Sequence, residues 1–254
     1  MDKTAAVNQY IMEEVQDSHE WMILPGHPID LPSFLSLHGL MLIICASILL
    51  LLFGVLYRKK DIVPHGLTNL LEIFVLFVRD HISIACLGDK DGRKMAPLFC
   101  SFFFFILGLN LMGLIPIFRA ATGNVNVTAA LALITLTFMI FGSIYKNGLI
   151  GFMKVFVPHG VPWPLLFLLT PIEFIGMFIK AFALTIRLFA NMLAGHIVIF
   201  ALLGLVVIFG WVALPAMALA MAVYFLELFI AFLQAYIFTL LSAMFIGQTV
   251  NPEH

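Results

Sequence analysis

Charge is what this sequence has least of. Asp, Glu, Lys and Arg make up 11% of its 254 residues, and the net charge is −1. A soluble domain carries about a quarter of its residues as charges, so that scarcity excludes one. No basic tract offers a site for nucleic acid. No P-loop is present, so ATP chemistry would have to reside in partners. The three cysteines, Cys45, Cys86 and Cys100, share no disulfide or metal spacing. Cys45 and Cys100 lie in apolar runs and read as packing residues. Internal repeats are not evident. Neither a cofactor nor a metal is expected.

What is present is apolar: 63% of the chain is hydrophobic, in long runs. Runs of this length mean an all-α polytopic membrane protein. Residues 1–32 carry Asp2, Glu13, Glu14, Asp17, Glu20 and Asp30 against one basic residue, Lys3. No basic stretch leads into an apolar core there, so this is not read as a cleaved signal peptide. Trp21, Pro25 and Pro28 suggest an irregular segment resting near the interface. A metal site at His19, His27 and His38 has no tight ligand spacing behind it. The expected division is an N-terminal extracytoplasmic segment, 1–36, and one helical membrane domain, 37–254.

The first span is expected from about His38 to Val55, stopped by Tyr57-Arg58-Lys59-Lys60. Basic clusters stay cytoplasmic, which leaves the N-terminus outside. After Pro64, Leu67, Leu70, Leu71, Phe74, Phe77 and Val78 recur at helical spacing among Glu72, Arg79, Asp80 and His81. This pattern predicts an amphipathic helix on the cytoplasmic surface. Residues 88–94 read as a polar turn. A second, Phe-rich span follows from about Ala96 to Ile117, ending at Pro116, and a third from about Val127 to Tyr145. Asn126-Val127-Thr128 reads as a chance glycosylation match beside a span. A loop with Lys146, Lys154 and His159 comes next.

From about Leu165 to Phe209 only Pro171 interrupts the apolar pattern. A helix of that length runs roughly 65 Å, about twice the hydrocarbon core. With no charged turn to divide it, one strongly tilted helix is favoured over two crossings. A second long helix is expected from about Leu214 to Gly247, after a break at Gly210, Trp211 and Pro215. That makes about five membrane-embedded helices plus the surface helix, the last two forming an antiparallel hairpin. Five crossings place the C-terminus in the cytoplasm.

Polar residues in the last pair are sparse and patterned. Glu173, Lys180 and Arg187 recur every seven residues, as do Glu227 and Gln234. Asn191 and Gly195 share the face of Arg187. Folding the pair about Gly210-Trp211 sets Arg187 opposite Gln234, His196 opposite Glu227 and Glu173 near Gln248. Glu173 then lies about 21 Å along the helix from Arg187, and His196 about 13.5 Å beyond it on the other side. Titratable groups on both flanks of a permanently charged arginine suit two proton paths separated by a barrier. Blander readings stand beside this one. Arg187 and a glutamate form a structural ion pair, Lys180 snorkels to an interface, His196 packs, and Gln234 is interhelical glue.

At this point the residues carry a resemblance. IRLFANMLAGH (186–196) resembles the signature of the a subunits of F-type ATP synthases. So do PLFCSFFFFILGLNLMGLIP (97–116), NVNVTAALAL (124–133), PIEFIGMFIKAFALTIRL (171–188) and YFLELFIAFLQAYIFTLL (224–241). FVRDHI and GRKMAPL match as well; residues before about 35 match loosely. The resemblance implies two long tilted helices against a rotating ring of c subunits, a b-subunit peripheral stalk, and no nucleotide site in this chain. It implies that Arg187 faces the ring carboxylate. It assigns Asn191, His196, Glu227 and Gln234 to an outer half-channel, and Glu173 to a cytoplasmic one. Many bacterial members carry Glu where this chain has His196 and His where it has Glu227; the exchange keeps one proton-active pair. Gly113 stands where some bacterial relatives are acidic.

The function this implies is a stator subunit that carries protons to and from the c ring in a bacterial inner membrane. A self-contained transporter or proton channel, and a structural membrane adaptor, are the other classes. Ion movement by the purified chain without a ring would separate them. Proton versus sodium stays open, since the ring site selects the ion.

Overall fold

The computed structural model describes residues 20–24, 27–30, 32, 36–56, 66–115, 117–157, 163–210 and 214–251. Among the described residues the first elements are two short antiparallel strands, β1 (Glu20–Leu24) and β2 (His27–Asp30). The segment expected to be irregular is therefore hydrogen-bonded, with Trp21 paired to Ile29. The α-helices of the described residues are α1 (Leu37–Leu51), α2 (Leu67–Phe77), α3 (Ala85–Gly113), α4 (Val125–Val155), α5 (Trp163–Phe209) and α6 (Leu214–Val250). Ser36 caps α1 by accepting from the Gly39 N–H at 3.2 Å. π-helical turns extend α1 over Leu52–Leu56 and join α2 to α3 over Val78–Ile84. Among the described residues five helical stretches are long and apolar enough to cross a membrane. They are Leu37–Gly54, Thr68–Gly113, Val125–Val155, Pro164–Phe209 and Leu214–Val250. The basic stop at 57–60, Pro64, Pro116, His159 and Trp211 lie outside the described residues.

Two expected loops are helical instead. The polar turn at 88–94 is helix apart from a kink at Gly88, whose φ of 80° suits glycine. Asp89 and Arg93 sit one turn apart, 3.6 Å between charged atoms, so the polar residues form a solvated helix face. The loop expected from Lys146 also begins later. Helix α4 passes through Lys146, kinks at Gly148 (φ 71°) and ends at Val155. By contrast, α5 is a single helix of 47 residues that absorbs Pro171 near its start.

The chain divides into two compact units. The first comprises residues 1–57, 104–125 and 188–235. Here α1 packs Leu37, Met41 and Cys45 inward. A Cβ on Gly108 would lie 2.8 Å from Cys45 Sγ, so the glycine is what lets α3 approach α1. Trp21 donates its indole N–H to Ile117 O (3.0 Å) and packs on Phe118. Tyr224 donates its hydroxyl to Leu114 O (3.2 Å).

The second unit comprises residues 58–103, 126–187 and 236–254. Its core joins Phe102 edge-on to Phe238, and Phe74 stacked on Phe103. Leu71 and Val78 are buried, whereas Leu70, Ile73, Leu76 and Phe77 remain exposed on the surface helix. Thr135 and Ser242 hydroxyls meet at 3.0 Å, and Thr128 is fully buried. At the end of α6, Ser143 donates to Thr249 O (2.7 Å) and Asn147 donates to Val250 O (3.1 Å). The Asn251 side chain donates to Leu87 O (2.8 Å), and Lys146 reaches both Asp91 and Asn251. These contacts satisfy carbonyls that a helix C-terminus leaves open.

Candidate functional site

In the first unit, α5 and α6 run antiparallel. Asn191 Nδ2 donates to Gln234 Oε1 at 2.9 Å. Two turns back along α6, Glu227 packs on Gly195, where a Cβ would collide with the Glu227 carboxyl. The missing side chain at 195 is the space the carboxyl occupies. Asn110, Leu188, Asn191, Met192, Glu227, Ile230, Ala231 and Gln234 enclose a cavity. It offers about 10 Å³ for the centre of a water molecule, room for about one water.

The polar groups here are unequally satisfied. Gln234 is 3% exposed and hydrogen-bonded. Glu227 is equally buried, yet neither carboxyl oxygen has a hydrogen-bond partner among the described residues. His196 follows Gly195 on α5, half-buried; its Nε2 is likewise buried and without a partner, and its ring lies 5.8 Å from that of Phe200. A buried carboxyl without partners costs several kcal/mol if charged. His196 follows the residue that Glu227 packs on, and no hydrogen bond joins the two side chains.

In the second unit, Glu173 and Arg187 are exposed on α5. Arg187 forms no hydrogen bond or ion pair with a described residue of that unit. A structural ion pair with a described glutamate of this unit, Glu72 or Glu173, is therefore not what holds it. Lys180 donates to Gln248 Oε1 at 3.1 Å and lies 5.5 Å from the centre of the Phe245 ring. Gln248 therefore pairs with Lys180, not with Glu173, and the hydrogen bond to Gln234 comes from Asn191, one turn beyond Arg187. Relative to the expected register, the Gln234 partner lies one turn and the Gln248 partner two turns further along α5, whereas Glu227 meets Gly195, the residue before His196.

Sequence reasoning passed over Asn110 and Thr122. Asn110 Oδ1 accepts from Thr122 Oγ1 at 2.8 Å, and its Nδ2 faces Ala231 O at 3.5 Å. The available signal was that Asn110 is the one carboxamide in the run 97–116. Of the three histidines weighed as metal ligands, His38 is buried, while His19 and the side chain of His27 lie outside the described residues. Among the described residues no group of three His, Cys, Asp or Glu side chains could hold a metal. Cys45 is buried, and Cys86 and Cys100 are half-buried free thiols.

The long apolar helices and the polar cavity between α5 and α6 define an all-α, multi-pass membrane protein with a buried ionisable site. The sequence profile of the family described as ATP synthase A chain matches residues 39–247. The chain is 47% identical over 218 residues to the ATP synthase subunit a of Anaeromyxobacter sp. (strain Fw109-5), covering 84% of this chain and 53% of that protein. It is 44% identical over 259 residues to the ATP synthase subunit a of Chloroherpeton thalassium, covering 95% and 77%. Against the Myxococcus xanthus ATP synthase subunit a it is 47% identical over 199 residues, covering 77% and 65%. This chain belongs to the ATP synthase A chain family. It spans about half the length of the Anaeromyxobacter relatives it matches.

Proposed function

We propose that the chain is the stator subunit a of an F-type ATP synthase, carrying protons through two offset half-channels to and from a ring of c subunits. The observation that carries this reading is the partnerless, buried Glu227 carboxyl beside the Asn191–Gln234 pair, on two otherwise apolar helices. Nothing structural is gained by burying such a group, so its retention points to proton handling.

In this scheme a proton enters from outside past His196, Glu227, Asn191 and Gln234. It neutralises a carboxylate on the ring, which lets that subunit turn into lipid. A loaded site later releases its proton through the cytoplasmic path at Glu173. Arg187 stays charged, attracts each ring carboxylate and keeps the two paths from joining. The exposed, small Ala183, Ala190 and Ala194 flank Arg187 on α5. Small residues let a partner helix come close in a membrane, as the ring would have to. Each charge moved through 100 mV supplies about 2.3 kcal/mol, which the ring converts to rotation. Nucleotide chemistry lies in the partner subunits of the synthase, and a b-subunit stalk holds this chain against the ring's torque.

The same reading assigns the chain to a bacterial inner membrane. Residues 1–36 lie outside and 37–254 form one membrane domain with a cytoplasmic C-terminus. The supporting signal is the basic set Arg79, Lys90, Arg93, Lys94, Lys146 and Lys154 on one side. The test is ATP-driven proton pumping by membranes carrying Arg187→Ala, with assembly confirmed by co-purification of the ring. Lost pumping with assembly intact is expected. Coupled pumping at the normal rate would overturn the reading.

A further inference from the structure

Asn110 and Thr122 join the cavity of Glu227 to a fixed hydrogen-bond direction. Thr122 is fully buried and Asn110 is 2% exposed. Thr122 Oγ1 donates to Asn110 Oδ1 at 2.8 Å, and Asn110 Nδ2 faces Ala231 O at 3.5 Å. The carboxamide cannot be turned over. A backbone carbonyl only accepts, so a flipped amide would set two acceptors against each other at Ala231. The hydroxyl of Thr122 completes the lock by supplying the donor that Oδ1 needs. The N–H2 end of Asn110 therefore stays on the side of Ala231, which lines the cavity with Asn110 and Glu227. The Glu227 oxygens in that cavity have no hydrogen-bond partner among the described residues.

We infer that Thr122 is a positioning residue of the outer proton path: it holds the Asn110 amide with its donor end toward the Glu227 cavity. There the donor, directly or through the one water the space admits, stabilises the carboxylate after its proton has left. The inference rests on the proposed function. The groups around Glu227 are few. Helix α5 contributes His196 and Asn191, α6 contributes Gln234, and the one charged residue in 104–125 is Arg119.

The test uses the assembled synthase in membrane vesicles stripped of the nucleotide-hydrolysing sector, reading passive proton conduction against pH. Removing a donor from a carboxylate raises its proton affinity, so the pH midpoint moves upward. Thr122→Val removes the hydroxyl at constant shape and is expected to raise the midpoint by about one unit. Thr122→Ser keeps the donor and is expected to restore the wild-type profile. Asn110→Leu is expected to shift the midpoint as Thr122→Val does, and adding Thr122→Val to it should shift nothing more. An unshifted midpoint in Thr122→Val, or a further shift in the double variant, overturns the inference. If Thr122→Val fails to enter the complex, Asn110→Leu decides alone, and an unshifted midpoint there overturns it. Glu227→Ala is the control for the underlying reading. If it conducts normally, the proposed function falls. If it stops conduction while Thr122→Val keeps the wild-type midpoint, only the positioning role falls.

Discussion

Helix α6 carries two polar stretches that are treated in opposite ways. At its C-terminal end, Thr249, Val250 and Asn251 receive donors from Ser143, Asn147 and Lys146, and Asn251 donates onward to Leu87 O. At Glu227 both carboxyl oxygens are buried with no partner among the described residues. The first stretch costs little to bury, because each group exchanges water for a protein partner. The second is expensive to hold charged in an apolar setting. The satisfied groups at the C-terminal end are structure, and the orphaned carboxyl is the candidate for chemistry.

The predictions press on that contrast, beginning with its orphaned side. Arg187→Ala is expected to abolish ATP-driven pumping while the ring still co-purifies, since it removes the permanent charge at that position. Gly195→Ala puts a Cβ into the Glu227 carboxyl, so the carboxyl must leave its site. We expect roughly tenfold slower proton conduction, the effect of about 1.4 kcal/mol on a barrier. On the satisfied side, Ser143→Ala removes the fully buried donor to Thr249 O. It should cost about 1 kcal/mol and lower the thermal midpoint of the purified complex by about 2–4 °C, with conduction unchanged. Thr135→Val leaves Ser242 without its hydroxyl partner. Interhelical hydrogen bonds in membranes average about 0.6 kcal/mol, so the midpoint should fall by less. A stability loss without a conduction loss in the last two, and the reverse in the first two, is the pattern the contrast requires.

The long helices were legible because only Pro171 in 165–209 and Pro215 in 214–247, each near a helix start, interrupt the apolar pattern, and the structure carries them as single helices. The segments misread as loops show the limit of charge as a signal. Asp89, Arg93 and Lys146 are charged yet helical, because a helix tolerates a solvated face; glycines at 88 and 148 supply the kinks. The β1–β2 pairing was invisible because two prolines argued for irregular chain. In the candidate site, seven-residue spacing found Glu227 and Gln234, since both lie on one helix. Asn110 and Thr122 escaped because their meaning comes from a contact with each other and with Ala231, which no period within one helix encodes. The expected partners between α5 and α6 were offset by up to about two turns, because spacing within one helix does not encode its register against another.

The most direct test compares Glu227→Gln with Asn251→Ala in one assay of passive proton conduction, each with ring assembly verified. Glutamine keeps the shape of Glu227 and removes its titration. A positioned acid–base group contributes about 100-fold or more to a transfer rate, so conduction should fall by at least that much. Asn251→Ala should conduct at the wild-type rate and lose only thermal stability. Normal conduction by Glu227→Gln would contradict the account, leaving the orphaned carboxyl as a structural oddity and the proton path elsewhere.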